Sequence, residues 1–300
     1  PLTIALPAIY ASKLSGIPMV FEVRDLWPTL PIAIGALKNS LSIFAARSLE
    51  KLAYSCSNHI VALSPGMKDG IVASGTPEGK VTVIPNCCDF DVFEVPRTCG
   101  DKIRGSFDWL GGRKMILYAG TIGKINGVDY LARVAEASFK IDPEVRFVVI
   151  GEGGDKVRVG TEARNRGVLD KNFFLLDGVS KHDIPQFYAA ADVATSLFID
   201  LEEMWANSAN KFFDALASGT PVAINYKGWQ SNLIQQYSAG ITLNPANERV
   251  AASELISFVK DDTLPKVGQN AQRLGRERFE RNTLAAKLEQ VLVDTYTSNS

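Results

Sequence analysis

From residue 113 onward, short apolar runs alternate with helical stretches across short links, and that rhythm leaves few folds open. "RKMILYA" is a continuous apolar run, so it reads as a strand buried on both faces. A helix over 127–140 follows, with Val128, Leu131, Val134 and Ala135 on one face. Then come the strand "VRFVVI", the turn "GEGG", a helix near 155–167 and the strand "NFFLL". Ser180 and Asp183 form a capping-box pattern ahead of the helix "KHDIPQFYAAA". The strand "DVATSL", a helix over 208–218, the strand "TPVAIN", a helix near 229–238, a strand near 240–243 and a helical tail to 298 complete the series. Strand and helix in strict alternation predict an α/β fold with a parallel, doubly wound sheet.

The first 109 residues carry fewer elements. Strands are expected near 18–24, 58–63 and 80–84, with helices near 41–55 and 65–74, the second capped by Ser64 with Pro65 at its first position. A full domain of this kind needs about 150 residues, and the chain opens on Pro1 rather than Met, so the first domain is expected to lack its beginning. Pro96, Gly100, Gly105, Gly111 and Gly112 punctuate 95–113 and predict a boundary there. The expected division is 1–109, 110–280, and a closing helix over 281–300 that packs back on the first domain.

A net charge of −1 removes the large basic face that a nucleic-acid binder uses. Cys56, Cys87, Cys88 and Cys99 show no metal-type spacing and suit a reducing, cytoplasmic compartment, Cys87 and Cys88 as small buried hydrophobes. His59 and His182 are the only histidines, so a histidine-rich metal site is not expected. No apolar run reaches the roughly 18 residues of a membrane span, and no signal peptide is visible. The stretch 41–54 places Leu41, Phe44, Ala45, Leu49 and Leu52 on one side, a face that either covers its own sheet or meets the inner face of a membrane.

In an open parallel sheet, ligands bind at the carboxyl ends of the strands. Four segments fall there. In "SANKFFDALASGTPVAI", Asn207 or Ser208 is a fitting N-cap and Gly219 a fitting stop. Asn207, Asn210, Lys211 and Asp214 share one side, while Phe212, Phe213 and Leu216 face the other way. A helix start offers free N–H groups to phosphate, Lys211 adds a full positive charge, and Asp214 can accept hydrogen bonds from sugar hydroxyls. The bland alternative is a capped surface helix with a solvated polar side. In "YAGTIGKINGVD", Gly120, Thr121, Gly123 and Lys124 form a glycine loop that lets backbone approach a diphosphate, or a tight strand–helix turn. In "VVIGEGGDK", Gly151, Gly153 and Gly154 follow a strand, but Lys156 stands where a dinucleotide fingerprint needs glycine. In "FEVRDLWP", Arg24 and Asp25 follow a strand, either as site residues or as a mutual ion pair. "VIPNCCD" by itself is a turn signal.

Eight segments in order, "FEVRDLWP", "IVALSPGMKDGI", "KVTVIPNCCD", "ILYAGTIGKINGVD", "FVVIGEGGDK", "FFLLDGVS", "ADVATSL" and "SANKFFDALASGTPVAI", resemble glycosyltransferase family 4, whose members have the two-domain GT-B fold. The R-D-L-W-P loop and the N-K-x-F-D helix are similar to those of N-acetyl-fucosamine transferases of O-antigen and capsule assembly. The resemblance implies two Rossmann-like domains, a nucleotide-sugar donor (a UDP-sugar favoured) on the second, and a glycan or polyprenyl-diphosphate-linked acceptor on the first. It also implies transfer with retention, without a metal or other cofactor. It puts the donor's ribose on Asp214, its diphosphate on Gly120 to Lys124, its base on the backbone around Val179, and its sugar and phosphates near Asn207 to Lys211. Lys211 would meet the leaving group, and Arg24 or Asp25 would face the acceptor.

The chain departs from the family pattern at several positions. Thr121 and Asn126 stand where many members have Arg and Lys, Ala206 where an acidic residue is usual, Arg24-Asp25 where many relatives have His-Asp, and Asn86-Cys87 where Asn-Gly is usual. Three other readings compete: a non-catalytic nucleotide-sugar binder, a UDP-sugar 2-epimerase on the same fold, and a nicotinamide oxidoreductase. The epimerase needs acid–base groups that two histidines serve poorly, and Lys156 disfavours the oxidoreductase.

Overall fold

The computed structural model describes residues 2–299. Contacts divide the chain into two compact units, one of Pro1–Asn86, Leu201–Ser208 and Arg281–Ser300, the other of Cys87–Asp200 and Ala209–Glu280.

The first unit holds a parallel sheet of β1 (Val20–Val23), β2 (His59–Ala62) and β3 (Val81–Val83) in that order. Helices α1 (Ala5–Ser15), α2 (Thr29–Ala33), α3 (Ser40–Cys56) and α4 (Pro65–Ala73) accompany it. The buried core gathers Ile9, Val23, Tyr54, Ile60, Met67 and Ile71. The Ser64 hydroxyl accepts from Met67 N at 3.0 Å with Pro65 at the first helical position, as the local sequence predicts. Asn39 caps α3 by accepting from Leu41 N and Ser42 N. On the expected apolar face of α3, Leu49 packs against the core, whereas Leu41 and Phe44 are 77% and 72% exposed. The segment 201–208 belongs here because the Ser64 hydroxyl donates to the Ala206 carbonyl and Asn86 Nδ2 donates to the Ser208 carbonyl at 2.8 Å.

The second unit carries six parallel strands: β4 (Met115–Ala119), β5 (Arg146–Ile150), β6 (Phe173–Leu176), β7 (Val193–Ser196), β8 (Val222–Ile224) and β9 (Gly240–Thr242), in the order β6-β5-β4-β7-β8-β9. Every residue of β4, β5, β7 and β8 is buried, which is why β4 and β8 read as unbroken apolar runs and β5 as one after Arg146; Thr195 and Ser196 of β7 are buried polar residues. Helices α5 (Phe90–Phe93), α6 (Cys99–Gly105), α7 (Asp129–Phe139), α8 (Lys156–Asn165), α9 (Ile184–Ala190), α10 (Asn210–Ser218), α11 (Trp229–Tyr237), α12 (Glu248–Lys260) and α13 (Leu264–Phe279) complete the unit. The chain then returns to the first unit as α14 (Arg281–Thr297), where Lys287 Nζ donates to the Val83 carbonyl at 2.9 Å.

The first break falls after Asn86, ahead of the glycine-punctuated stretch over 95–113. Residues 87–109 join the second unit for packing reasons that local composition does not carry. Phe93 meets Tyr188 edge-on at 5.4 Å. Arg97 donates to the carbonyls of Ala189, Ala191 and Gly219, and Arg104 to that of Ala190 and to the Asp192 carboxylate.

Two helix starts differ from the sequence expectation. The Ser180 hydroxyl donates to the Asp183 carboxylate at 2.7 Å instead of capping backbone N–H groups, and α9 begins only at Ile184. Ahead of α10 the backbone stays extended through Asn207 and Ala209, so Ala209 is the N-cap, and no side chain caps the first turn. The end of α10 follows expectation, with Gly219 in the left-handed region at φ 66°.

Candidate functional site

Strand order in the second unit reverses between β4 and β7, which defines its switch point. Two segments leave the carboxyl ends of these strands: the loop 120–123 after β4, and the chain that leads to α10 after β7. Helix α10 is held by its apolar side. Phe212, Phe213, Ala215, Leu216 and Ala217 are buried. Phe213 meets Phe279 of α13 at 5.0 Å and 84°. Burying each such ring is worth about 1.5–3 kcal/mol, so the helix is fixed by one face and free to spend its other face on chemistry.

That other face carries Lys211 and Asp214. The Lys211 stem lies over Gly120: a Cβ added to Gly120, whose φ is +143°, would sit 2.6 Å from Lys211 Cε. The Lys211 ammonium stands 5.1 Å from the centroid of the Tyr118 ring. Burial lowers the Lys211 pKa to about 8, against the pull of Asp214. Burial likewise pushes the Asp214 carboxyl up to about 7, with Lys211 and Lys181 lowering it and Asp89 raising it. No ion pair joins Lys211 to Asp214 among the described residues. Two half-desolvated charges of opposite sign that do not satisfy one another leave hydrogen-bonding capacity for something else.

The glycine loop is sewn to its neighbour. Gly120 N donates to Ile150 O at 2.9 Å, Ile122 N to Glu152 O at 2.8 Å, and Asp155 N to Ile122 O at 3.0 Å. Gly153 packs with its Cα against the Ile122 carbonyl, so a side chain there would drive the two loops apart. Gly123 N donates to Asn126 Oδ1 at 3.2 Å. Thr121 and Lys124 are exposed, and the Thr121 carbonyl accepts from the Tyr118 hydroxyl at 2.6 Å. Across the loop, Glu152 accepts from Gly178 N at 2.9 Å and from Lys156 at 2.7 Å, and Lys156 also donates to Asp177. Val179 follows, 38% exposed. Lys156, which breaks the dinucleotide fingerprint, thus ties the 151–154 turn to the 177–179 turn.

Asn210 is exposed on the first turn of α10. Asn207 is buried within the first unit's 201–208 segment, where its side chain meets the Met204 sulfur. Arg24 and Asp25 also belong to the first unit, immediately after β1. Arg24 pairs with Glu22 at 2.9 Å and not with Asp25, which sets aside the alternative reading of these two residues as a mutual ion pair. Asp25 is exposed, yet desolvation by the surrounding protein raises its carboxyl against the lowering effect of Arg24. A cavity of about 470 Å³ lined by Phe21, Arg24, Asp25, Trp27 and Tyr54, among others, opens beside them. The structure therefore collects Gly120, Thr121, Gly123, Lys124, Gly153, Val179, Asn210, Lys211 and Asp214 on one unit, and Arg24, Asp25 and Asn207 on the other.

Sequence reasoning missed Tyr118, Lys181 and Asp89. Tyr118 bears the one polar side-chain atom in "MILYA", which is a legible anomaly. Lys181 and Asp89, 4.0 Å apart, come from distant segments, and no local pattern announces them. Among the described residues no cluster of three or more His, Cys, Asp or Glu could hold a metal ion.

A family model described as "Glycosyl transferases group 1" matches residues 101–276, more than half of the chain. The chain belongs to this glycosyl transferase family. A second model, "Glycosyl transferase 4-like domain", matches residues 1–87 of the chain and ends where the first unit breaks. Over 170 residues the chain is 26% identical to the putative colanic acid biosynthesis glycosyl transferase WcaI of Escherichia coli (strain K12), covering 55% of this chain and 41% of that protein. It is 22% identical over 188 residues to spore coat protein SA of Bacillus subtilis (strain 168), covering 60% and 48%. The chain thus spans about half the length of the curated relatives it matches. Anabaena HepE, solved with UDP, superimposes with a TM-score of 0.82 at 16% identity, covering 98% of this chain and 77% of HepE. WaaG, a glycosyltransferase involved in lipopolysaccharide biosynthesis, does so with a TM-score of 0.70 at 16% identity, covering 92% and 75%. At such identities the likeness establishes the fold, two Rossmann-like domains of the GT-B type.

Proposed function

We propose that the protein moves a sugar from a nucleotide-sugar donor, a UDP-sugar before others, to a glycan or polyprenyl-diphosphate-linked acceptor in cell-surface polysaccharide synthesis, with retention at the anomeric carbon. The observation that carries the reading is the Lys211–Asp214 pair, half-buried and not ion-paired, beside the Gly120 loop at the switch point. When the sugar–phosphate bond breaks, negative charge grows on the departing diphosphate. A prepositioned ammonium and open helix N–H groups in a desolvated site stabilise that charge without reorganising. Lys211 and the uncapped first turn of α10 supply both, with Asn210 at that turn beside the sugar and phosphates. Exposed Lys124, Thr121 and the backbone of Gly120 and Gly123 border the diphosphate on the other side. Asp214, as a carboxylate, accepts from the ribose hydroxyls, and the backbone at Val179 contacts the base. The 153 turn holds the loop in place.

On the first unit, Asp25 and Arg24 take the acceptor side, Asp25 by orienting the attacking hydroxyl, and Asn207 leads into the donor helix. The exposed Leu41 and Phe44 of α3 make peripheral contact with a membrane that carries a lipid-linked acceptor. The complexes of HepE with UDP and with UDP-glucose support the choice of donor class, and the names of WcaI and WaaG support the polysaccharide setting.

A thermal-shift screen with UDP-, GDP- and dTDP-sugars, followed by transfer of radiolabelled sugar, tests the reading. Stabilisation by a UDP-sugar together with labelled product supports it. Stabilisation without product in the presence of glycan and lipid-linked acceptors returns the protein to the binder class, and no response to any nucleotide sugar ends the proposal.

A further inference from the structure

We infer that Tyr118 is a positioning residue that sets the distance between the Gly120 loop and the Lys211 ammonium. The inference rests on the donor-site reading above and deepens it. Tyr118 lies in β4, fully buried as a member of the second unit's hydrophobic core. A ring there needs no hydroxyl for packing, and a buried hydroxyl costs free energy unless it is bonded. Its single bond goes outward to the Thr121 carbonyl at 2.6 Å, within the loop that leaves the strand. The same ring presents its face to Lys211 Nζ at 5.1 Å, inside the range in which an aromatic face attracts a cation. Gly120 lies between, and the Lys211 stem fills the space that a side chain at Gly120 would take. One side chain therefore touches both partners proposed for the diphosphate: the loop through its hydroxyl, the ammonium through its ring.

The ring also bears on protonation. Burial disfavours the ammonium, and Asp214 on the same helix favours it. Tyr188 from α9 and Cys88, Asp89 and Lys181 surround Asp214 from the other elements. The ring face of Tyr118 adds attraction that acts on the charged form alone. Removing the ring moves the Lys211 pKa down by about half a unit, and removing the hydroxyl alone leaves it in place while loosening the loop.

Calorimetry with UDP over pH 7 to 9.5 on wild type, Tyr118→Phe and Tyr118→Leu separates these effects. For wild type, affinity is expected to fall as pH rises through the pKa of Lys211. Tyr118→Phe is expected to weaken UDP about three- to tenfold at every pH without moving the midpoint of that fall. Tyr118→Leu is expected to move the midpoint to lower pH by about half a unit as well. A purely structural tyrosine would lower the melting temperature and leave both readouts at wild-type values, and that result overturns the inference. Should Tyr118→Leu not fold, Tyr118→Phe decides alone: wild-type affinity rejects the role of the hydroxyl and with it the inference. Failure of wild type to bind UDP or any other nucleoside diphosphate would instead refute the donor-site reading itself.

Discussion

The carboxyl edges of the two sheets are built to different electrical specifications. After β1, Arg24 is exposed and already satisfied by Glu22, and Asp25 is exposed beside it. After β4 and β7, Lys211 and Asp214 are half-buried, not paired with each other, and pushed far from their ordinary pKa values, Lys211 to about 8 and Asp214 to about 7. Water reaches both side chains of the first set, although desolvation by the surrounding protein still raises the Asp25 carboxyl. In the second set burial disfavours both charged forms, so the folded state bears a desolvation cost that the first set largely escapes. The lesson is that charge at a strand end is weak evidence of a site, whereas charge held at a strand end against its own solvation is strong evidence.

Substitutions can break this contrast, and the largest effect is expected at the ammonium. Lys211→Ala should lower kcat about 10²- to 10³-fold in nucleotide-sugar transfer, the loss typical of a removed charge stabiliser. Unchanged kcat and KM would remove Lys211 from the chemistry. Next comes Gly120→Ala, which must displace the Lys211 stem and adopt an unfavourable φ. Its donor kcat/KM should fall about 30- to 100-fold, since small misplacements of a catalytic group are costly. A variant with normal kinetics would show that the stem has freedom to move.

The same contrast predicts that neutral replacements stabilise the second edge. The folded pKa of Asp214 is raised to about 7 from its ordinary value of 3.8. The folded state therefore binds the extra proton, and the stability contributed by this group is complete below 3.8 and lost as pH rises towards 7. The folded pKa of Lys211 is lowered to about 8 from 10.5, so its penalty is complete below 8 and relieved as pH rises towards 10.5. Asp214→Asn should be more stable than wild type by about 1–2 kcal/mol at pH 7.5, with the advantage gone below pH 3.8. Lys211→Met should show a similar gain that vanishes near pH 10.5. Denaturant unfolding across pH checks both, and destabilisation by both neutral variants at pH 7.5 would mean the two charges are well satisfied. Asp214→Asn should at the same time raise donor KM about tenfold, the worth of one charged hydrogen bond. The smallest effect is expected at the first edge: Arg24→Gln should change stability by less than about 0.5 kcal/mol and leave the UDP dissociation constant unaltered. A loss comparable to that of the Lys211 variants would erase the distinction between the two edges.

The α/β alternation was legible because strands buried on both faces must be largely apolar, as β4 is throughout and β5 is after Arg146. The two faces of α10 were legible because Phe212, Phe213 and Leu216 recur at helical spacing against Lys211 and Asp214. The caps were not. Ser180 and Asn207 are good capping residues by type, but a cap needs the preceding backbone to turn at the right residue, and here Asp183 draws the Ser180 hydroxyl away while the chain stays extended to Ala209. The limits of the two units were not legible either. Pro and Gly mark where a chain can bend, whereas Arg97, Arg104 and Phe93 decide which core the segment after Asn86 joins.

By itself the sequence determined the class of fold and pointed to the sheet edge that carries the candidate site, because hydrophobic periodicity and glycine placement are local properties that any one segment carries. Tertiary structure decided the electrostatics of that edge. Whether Lys211 is an ordinary solvated lysine or an ammonium pressed between Gly120 and the Tyr118 ring depends on residues about ninety positions away in the chain. Desolvation and charge coupling act through space, and only the fold sets those distances.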